Sequence, residues 1–322
     1  MKPLPIGVIG TLNIEVLLWP LDRIPKSGQQ CFVHGFQLRK AGSAPSVGLV
    51  LRALGLRPRL FGTVGDDETG RDLCASLKRH GLDLTGVTAV AGQSSGICVS
   101  LGDSSGAHRY VTYLGAVGST TGAWLDRRRK TVLECGAVLL TGYFVLPGLG
   151  FACVRRLFRD LRRHGHLVAL DTGWDPKGWS PKTRSQLLDL LQHVDVFLPN
   201  RDEACRLAGK RDPAAAARFL QAKGPAMVFV KMESQGALLA RNGDVCHHAG
   251  FPRQVRDTTA AGEAFNAGVL YGLERGWEPC QVLAFANATA ARFVESGRAD
   301  ACTLPRIRAL LGKTRFGKVA SK

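Results

Sequence analysis

From residue 132 to about residue 240, short apolar runs alternate with amphipathic helical spacings. Strand candidates fall at 137–140, 167–170, 195–198, 227–230 and 237–240, and helical ones at 151–164, 180–192, 203–208 and 213–223. Strands that alternate with helices pair best in a mainly parallel sheet, with crossovers that lay helices on both faces. A chain of 322 residues that is 45% hydrophobic is long enough to bury such a sheet. Upstream, an apolar run at 5–10 reads as a buried strand and one at 31–38 alternates like a second. A third, at 60–65, leads into a helix that Asp66 and Asp67 start and Gly81 stops. The runs at 97–101 and 107–113 flank a Gly-rich turn and read as a hairpin. These early pieces break the βα rhythm and are expected to form a small β-lid over one end of the sheet.

Composition narrows the function. A net charge of +17 favours acidic partners such as nucleotide phosphates, phosphorylated metabolites or nucleic acid. The basic runs around Arg155, Arg159 and Arg163 have helical spacing and no interleaved aromatic residues, so they read as solvated faces and nucleic-acid binding is disfavoured. Nine cysteines without a Cys-x-x-Cys pair support neither a disulfide framework nor a four-ligand zinc site. Cys246-His247-His248 is read as surface, because adjacent strand residues point to opposite faces. The most apolar stretch, 137–154, is broken by Gly142, Pro147, Gly148 and Gly150 and is a poor membrane span. With no signal-type apolar region at the start, a soluble cytoplasmic protein is expected. Gly102-x-Ser104-x-Gly106 matches a hydrolase elbow in letters only, since it joins two strand-like runs.

Chemistry concentrates in Asp257-Thr258-Thr259-Ala260-Ala261-Gly262-Glu263-Ala264-Phe265. Phe265, Val269 and Leu273 recur at helical spacing, so Ala260-Ala261-Gly262 is the turn that opens a helix ending near Gly276. Small residues there expose backbone N–H groups at the positive end of the helix, an anion site. A carboxylate beside an anion site suits phosphoryl transfer: one accepts a proton, the other holds developing charge. An ordinary capped helix gives the same letters. Asn13 and Glu15, just past the first strand candidate, stand where open α/β sheets bind ligands, and also where turn residues stand. The entry 42–46 into the helix carrying Val47, Val50 and Leu54 is either a ligand-facing turn or an N-cap with proline in its first turn.

Five elements in chain order together resemble the ribokinase-like, or PfkB, family of carbohydrate kinases over about residues 6–311. They are Gly10-x-x-Asn13-x-Glu15, Gly42 with its helix, Gly65-Asp66-Asp67-x-x-Gly70, Asn200-Arg201-Asp202-Glu203 and Asp257-Thr258-Thr259-Ala260-Ala261-Gly262-Glu263. The resemblance implies a ribokinase-like α/β fold, with a mainly parallel central sheet, helices on both faces and a small β-lid. One kinase domain would cover residues 1–311, with lid segments at about 12–40 and 94–115, and 312–322 would be a flexible basic tail.

It implies that the γ-phosphate of ATP is transferred, with Mg²⁺, to a hydroxymethyl group of a sugar or sugar-like acceptor. Carried over by position, Asn13, Glu15, Gly42 and Ser46 would bind the acceptor. Ala260, Ala261 and Gly262 would form the anion hole, with Glu263 as general base. Asn200, Ser234, Gly236 and Asn287 would bind nucleotide, and Glu203 would hold Mg²⁺ through water. Asp257 and Thr259 would hold a monovalent cation such as K⁺. A homodimer through the lid is implied, and no membrane partner. The chain departs from the family at Glu15 and Glu263, where aspartates are usual, at Ser46 for asparagine and at Glu233 for glycine. These departures motivate a second reading, a catalytically weak or inactive relative that binds a sugar or nucleotide.

Overall fold

The computed structural model describes residues 4–104, 108–252 and 258–312. Asp257 and all but the first residue of the expected tail lie outside them. The strands are β1 (Ile6–Ile9), β2 (Asn13–Trp19), β3 (Gly35–Ala41), β4 (Pro58–Gly65), β5 (Asp83–Val90), β6 (Gly96–Gly102), β7 (His108–Tyr113), β8 (Ala137–Thr141), β9 (Leu167–Asp171), β10 (Val196–Phe197), β11 (Met227–Lys231), β12 (Ala237–Arg241) and β13 (Asp244–His248). Nine of them form one sheet in the order β13-β12-β11-β10-β9-β8-β1-β4-β5. It is parallel from β11 through β5, and β12 and β13 close it as antiparallel edge strands.

Alternation along the parallel strands divides the interior into two cores. Val8, Leu60 and Leu139 join one core with Val47, Phe265, Val269 and Phe285, from the helices Ser43–Ala53, Ala261–Glu274 and Pro279–Ser296. Their neighbours Ile9, Phe61, Val138 and Leu140 join the other, with Leu157, Phe158 and Leu187 from the helices Phe151–Arg163 and Pro181–Leu191. The elements expected from 132 onward are all present, with ends moved by a few residues. The strand expected at 31–38 is β3, displaced to Gly35–Ala41. Asn13 and Glu15 sit within a strand, β2, rather than in a turn. Edge strand β5 and the long helix Pro279–Ser296 had no counterpart in the sequence reading. Asp67 caps its helix as expected, accepting the Gly70 N–H at 2.8 Å.

The remaining four strands form a second sheet, β3-β2-β6-β7. Its register sorts residues by chemistry. Val16, Leu38 and Val99 share one face with Val111, while Glu15, Arg39, Cys98 and Thr112 share the other. The polar face turns towards the carboxyl ends of the parallel strands, where Thr141 and Asp171 end β8 and β9 and Thr11 lies two residues past β1. There β1 lies between β8 and β4, so the strand order changes direction and a crevice opens.

The β11–β12 hairpin is tight. Gly236 has φ 82°, and a Cβ there would lie 2.0 Å from the His248 carbonyl oxygen, so only glycine fits. Exposed Glu233, where the family usually has glycine, also sits in the left-handed region, at φ 53°. An L-residue is strained there by about 1–2 kcal/mol, part of which glycine's larger unfolded-state entropy offsets. Glu233→Gly is therefore expected to raise the unfolding free energy by about 0.5–1 kcal/mol in urea titration, and Glu233→Ala to give no gain. Equal values for the two variants would show that the strain is not felt.

Candidate active site

The helix Ala261–Glu274 begins abruptly. Ala260 takes φ 63° and ψ 12° before it, and no side chain caps its first turn. The Ala261 N–H bonds back to the Thr258 carbonyl at 3.1 Å. Small side chains at Ala260, Ala261 and Gly262 leave the backbone approachable, and the uncapped first turn is an anion site. Glu263, in that same turn, is half-buried.

Opposite this helix start, the entry to the helix Ser43–Ala53 is stitched to β1. The Thr11 N–H donates to Ser43 Oγ at 3.1 Å, the Ser43 N–H donates to Thr11 Oγ1 at 3.0 Å, and Ser43 Oγ donates to the Thr141 carbonyl at 3.2 Å. Gly42 has φ 117°, and a Cβ there would stand 2.3 Å from the Thr11 carbonyl oxygen. The lid supplies the third wall. Asn13 Nδ2 donates to the Ile14 carbonyl at 3.2 Å, and buried Glu15 lies 3.9 Å from the Arg39 guanidinium. These walls enclose a cavity of about 660 Å³ that Asn13, Glu15, Gly42, Ser46, Thr259, Ala260, Gly262 and Glu263 all line. The sequence-derived acceptor residues and most of the catalytic stretch thus meet in one place. Tyr110, which the sequence reading did not single out, joins them from β7. More than half of the Tyr110 side chain is exposed, but partial loss of water at its hydroxyl and the negative charges of Glu15 and Glu263 raise its pKa.

Thr259, assigned to a monovalent cation, lines that cavity, but Asn200, Glu203, Ser234, Gly236 and Asn287, assigned to nucleotide and Mg²⁺, do not. Asn200 and Glu203 form a reciprocal cap at the start of the helix Arg201–Ala208. The Glu203 N–H donates to Asn200 Oδ1, and the Asn200 N–H and Nδ2 donate to the Glu203 carboxylate, each at 2.9 Å. Ser234 is exposed on the β11–β12 turn. Asn287 is buried and donates to the His248 carbonyl at 3.2 Å, which ties its helix to β13.

A polar group at the foot of the helix Ala261–Glu274 was also not singled out. Lys231, the last residue of β11, donates to Asp171 Oδ2 at 2.9 Å and to Asn266 Oδ1 at 3.4 Å. Asn266, fully buried in that helix, donates to the same Asp171 oxygen. The rule that flagged Asn13, a polar residue at the carboxyl end of a strand, applies equally to Asp171 and Lys231. Burial and the Asp171 charge push the Glu203 carboxyl up, to about 7, against the opposing pull of Lys231. Burial and Asp171 raise Glu263 in the same direction. Burial opposes the charge on Lys231, but the surrounding carboxylates outweigh it and raise its pKa.

Comparison with known proteins places this arrangement. Residues 6–306 match the profile of the pfkB family carbohydrate kinases. A 2-dehydro-3-deoxygluconokinase of Thermoproteus tenax is 30% identical over 86% of each chain. A 5-dehydro-2-deoxygluconokinase of Geobacillus kaustophilus is 24% identical over 100% of this chain and 97% of its own. Arabidopsis thaliana ribokinase, solved with ribose and ATP, superposes with a TM-score of 0.80 at 24% identity, over 96% of this chain and 99% of that one. A putative ribokinase II of E. coli, solved with ATP and Mg²⁺, superposes with a TM-score of 0.80 at 19% identity, over 95% and 98%. With the family profile spanning nearly the whole chain and both sheets in place, this protein belongs to the pfkB family of carbohydrate kinases.

Proposed function

We propose that the protein phosphorylates a hydroxymethyl group of a sugar or sugar-like acceptor using ATP, with Glu263 as general base. One observation carries the reading: an uncapped helix start and its carboxylate open into the same cavity as Asn13, Glu15 and the tight turn at Gly42. Asn13, Glu15 and Ser46 hold acceptor hydroxyls from the lid side. Glu263 takes the proton of the attacking hydroxyl, and its raised pKa brings it nearer neutral pH, where a base is most effective. The N–H groups beginning at Ala260, Ala261 and Gly262 hold the negative charge that develops on the transferred group. ATP, when bound, supplies that group, and Mg²⁺ screens its charge.

The buried charges fit a cation. Asp171, Glu203 and Glu263 surround one ammonium, Lys231, so negative charge is in excess. Among the described residues no cluster of three or more His, Cys, Asp or Glu could hold a metal outright. Mg²⁺ keeps several waters and takes one or two carboxylates beside the phosphates. Glu203 would hold it, through water. Asn200, Ser234, Gly236 and Asn287 would border the nucleotide, and Thr259 the monovalent cation.

Turnover of ATP across a panel of sugars, sugar acids, sugar phosphates and nucleosides tests the reading directly; no turnover with any of them would favour the inactive relative. Glu263→Gln keeps the volume but cannot accept a proton, and is expected to lower kcat by about 10²–10⁴-fold with ATP affinity nearly unchanged. Glu263→Asp retracts the carboxylate by about 1.5 Å of bond length and is expected to lower kcat about 100-fold. Higher activity in Glu263→Asp would mean that the pocket has not adapted to glutamate.

The Glu203 carboxyl gives a pH signature without any ligand. Its folded pKa, about 7, lies above the ordinary 4.5, so the native state binds the extra proton between these values. Its contribution to stability is therefore complete below pH 4.5 and is lost as pH rises through 7. In metal-free protein the loss from pH 5 to pH 8 is expected to be on the order of 2–3 kcal/mol, and Glu203→Gln to flatten that slope in urea titrations. An unchanged slope would remove the assignment.

The outer face of the lid supports a homodimer. Phe36 and Leu38 on β3 and Val111 and Tyr113 on β7, the two edge strands of the lid sheet, are between 57% and 66% exposed, and a second copy of the same sheet would cover these apolar side chains. Leu38→Glu, which leaves the pocket face untouched, is expected to shift the sedimentation coefficient from dimer to monomer. A wild-type monomer at micromolar concentration would refute the dimer.

A further inference from the structure

Lys231 has no role in the reaction as set out above. Its Nζ lies 3.6 Å from where a Cβ on Gly262 would stand, which puts the ammonium at that edge of the anion site. Two of its three N–H bonds are accounted for, by Asp171 and Asn266. It sits at the carboxyl end of β11, directly below the first turn of the catalytic helix, and its side chain is 15% exposed. A lysine this enclosed is not a solvated surface charge, and Asp171 alone does not explain its place beside Gly262.

We propose that Lys231 is a catalytic residue of the phosphoryl transfer, donating its third N–H to the terminal phosphate of bound ATP at the edge of the anion site. Asp171 and Asn266 then act as positioning residues. They fix the ammonium on one side, so it needs no rearrangement when the phosphate charge shifts during transfer. The lysine remains protonated throughout: it offers a hydrogen bond and a charge, and no bond to its nitrogen forms or breaks. The inference rests on the kinase reading, and its chemistry is specific to the γ-phosphate rather than to nucleotide in general.

The bland alternative is that Lys231 only neutralises a buried Asp171. Removing the lysine alone would leave that carboxylate unpaired and threaten folding, so the comparison is made in an Asp171→Asn background. Calorimetry without metal would measure ATP and ADP affinities of Asp171→Asn and of Asp171→Asn/Lys231→Met. A contact to the γ-phosphate predicts an ATP affinity about 10–100-fold lower in the double variant, with ADP affinity unchanged. With Mg²⁺ and acceptor, kcat of the double variant should lie about 10²–10³-fold below that of Asp171→Asn, and the KM for acceptor should hold. Equal ATP affinities in the two variants, or parallel losses for ATP and ADP, would overturn the role. If the wild type binds ATP no better than ADP and turns over no acceptor, the kinase reading itself falls and takes this inference with it.

Discussion

The ion pair between Lys231 and Asp171 joins three separate pieces of chain. Lys231 ends β11, Asp171 ends β9, and Asn266 brings the helix Ala261–Glu274 to the same carboxylate oxygen. Buried ion pairs add little net stability, because desolvation cancels most of their attraction. Their value lies in geometry. A helix that starts without a side-chain cap has little local chemistry to fix where its first turn sits. Here the position is set from below, by polar contacts one turn into the helix, and from the side by hydrophobic packing of Phe265 and Val269. The first turn stays uncapped by any side chain and open to a ligand, although its Ala261 N–H turns back to the Thr258 carbonyl.

The lid solves a second problem with the same economy. A four-stranded sheet outside the main core has two faces and only one cavity to cover. Strict alternation gives each face one task. Glu15, Arg39 and Thr112 turn inward to polar work, while Leu38, Val99 and Val111 turn outward. Shifting β2 by one residue against its neighbours would carry Glu15 to the outside and Val16 into the pocket. Register in the lid therefore decides which side chains line the cavity, and packing of the outer face against a second copy would fix that register.

Much of this was legible in the sequence, for identifiable reasons. The parallel strands are short apolar runs bounded by turn residues, and the helices between them carry regular apolar stripes, so the frame from residue 132 onward could be read from periodicity alone. The helix Ala261–Glu274 was marked by its small-residue entry. What escaped had weaker local signals. Strand β5 contains Asp83 and Gly86 and is half-exposed at the sheet edge, so neither pattern nor propensity marks it. The helix Pro279–Ser296 is rich in alanine and buried through most of its length, which removes the polar stripe that periodicity needs. Asp171 and Lys231 lie 60 positions apart, and only the sheet order brings their side chains together.

The two glutamates at family aspartate positions are best considered together. Glu15 projects from the lid and Glu263 from the catalytic helix, and both line the same cavity. A longer side chain on one wall alone would displace the acceptor relative to the other wall. Longer side chains on both walls leave room for the acceptor between them, provided it sits differently from one held by two aspartates. The negative charge of Glu15 also acts on Glu263, adding to burial and Asp171 in raising its pKa. The electrostatic effect of Glu15 is thus to make Glu263 a stronger base, and its steric effect is to reset where the acceptor lies. In the proposed reaction both effects act on the same proton: one sets how strongly Glu263 holds it, the other how far it must travel.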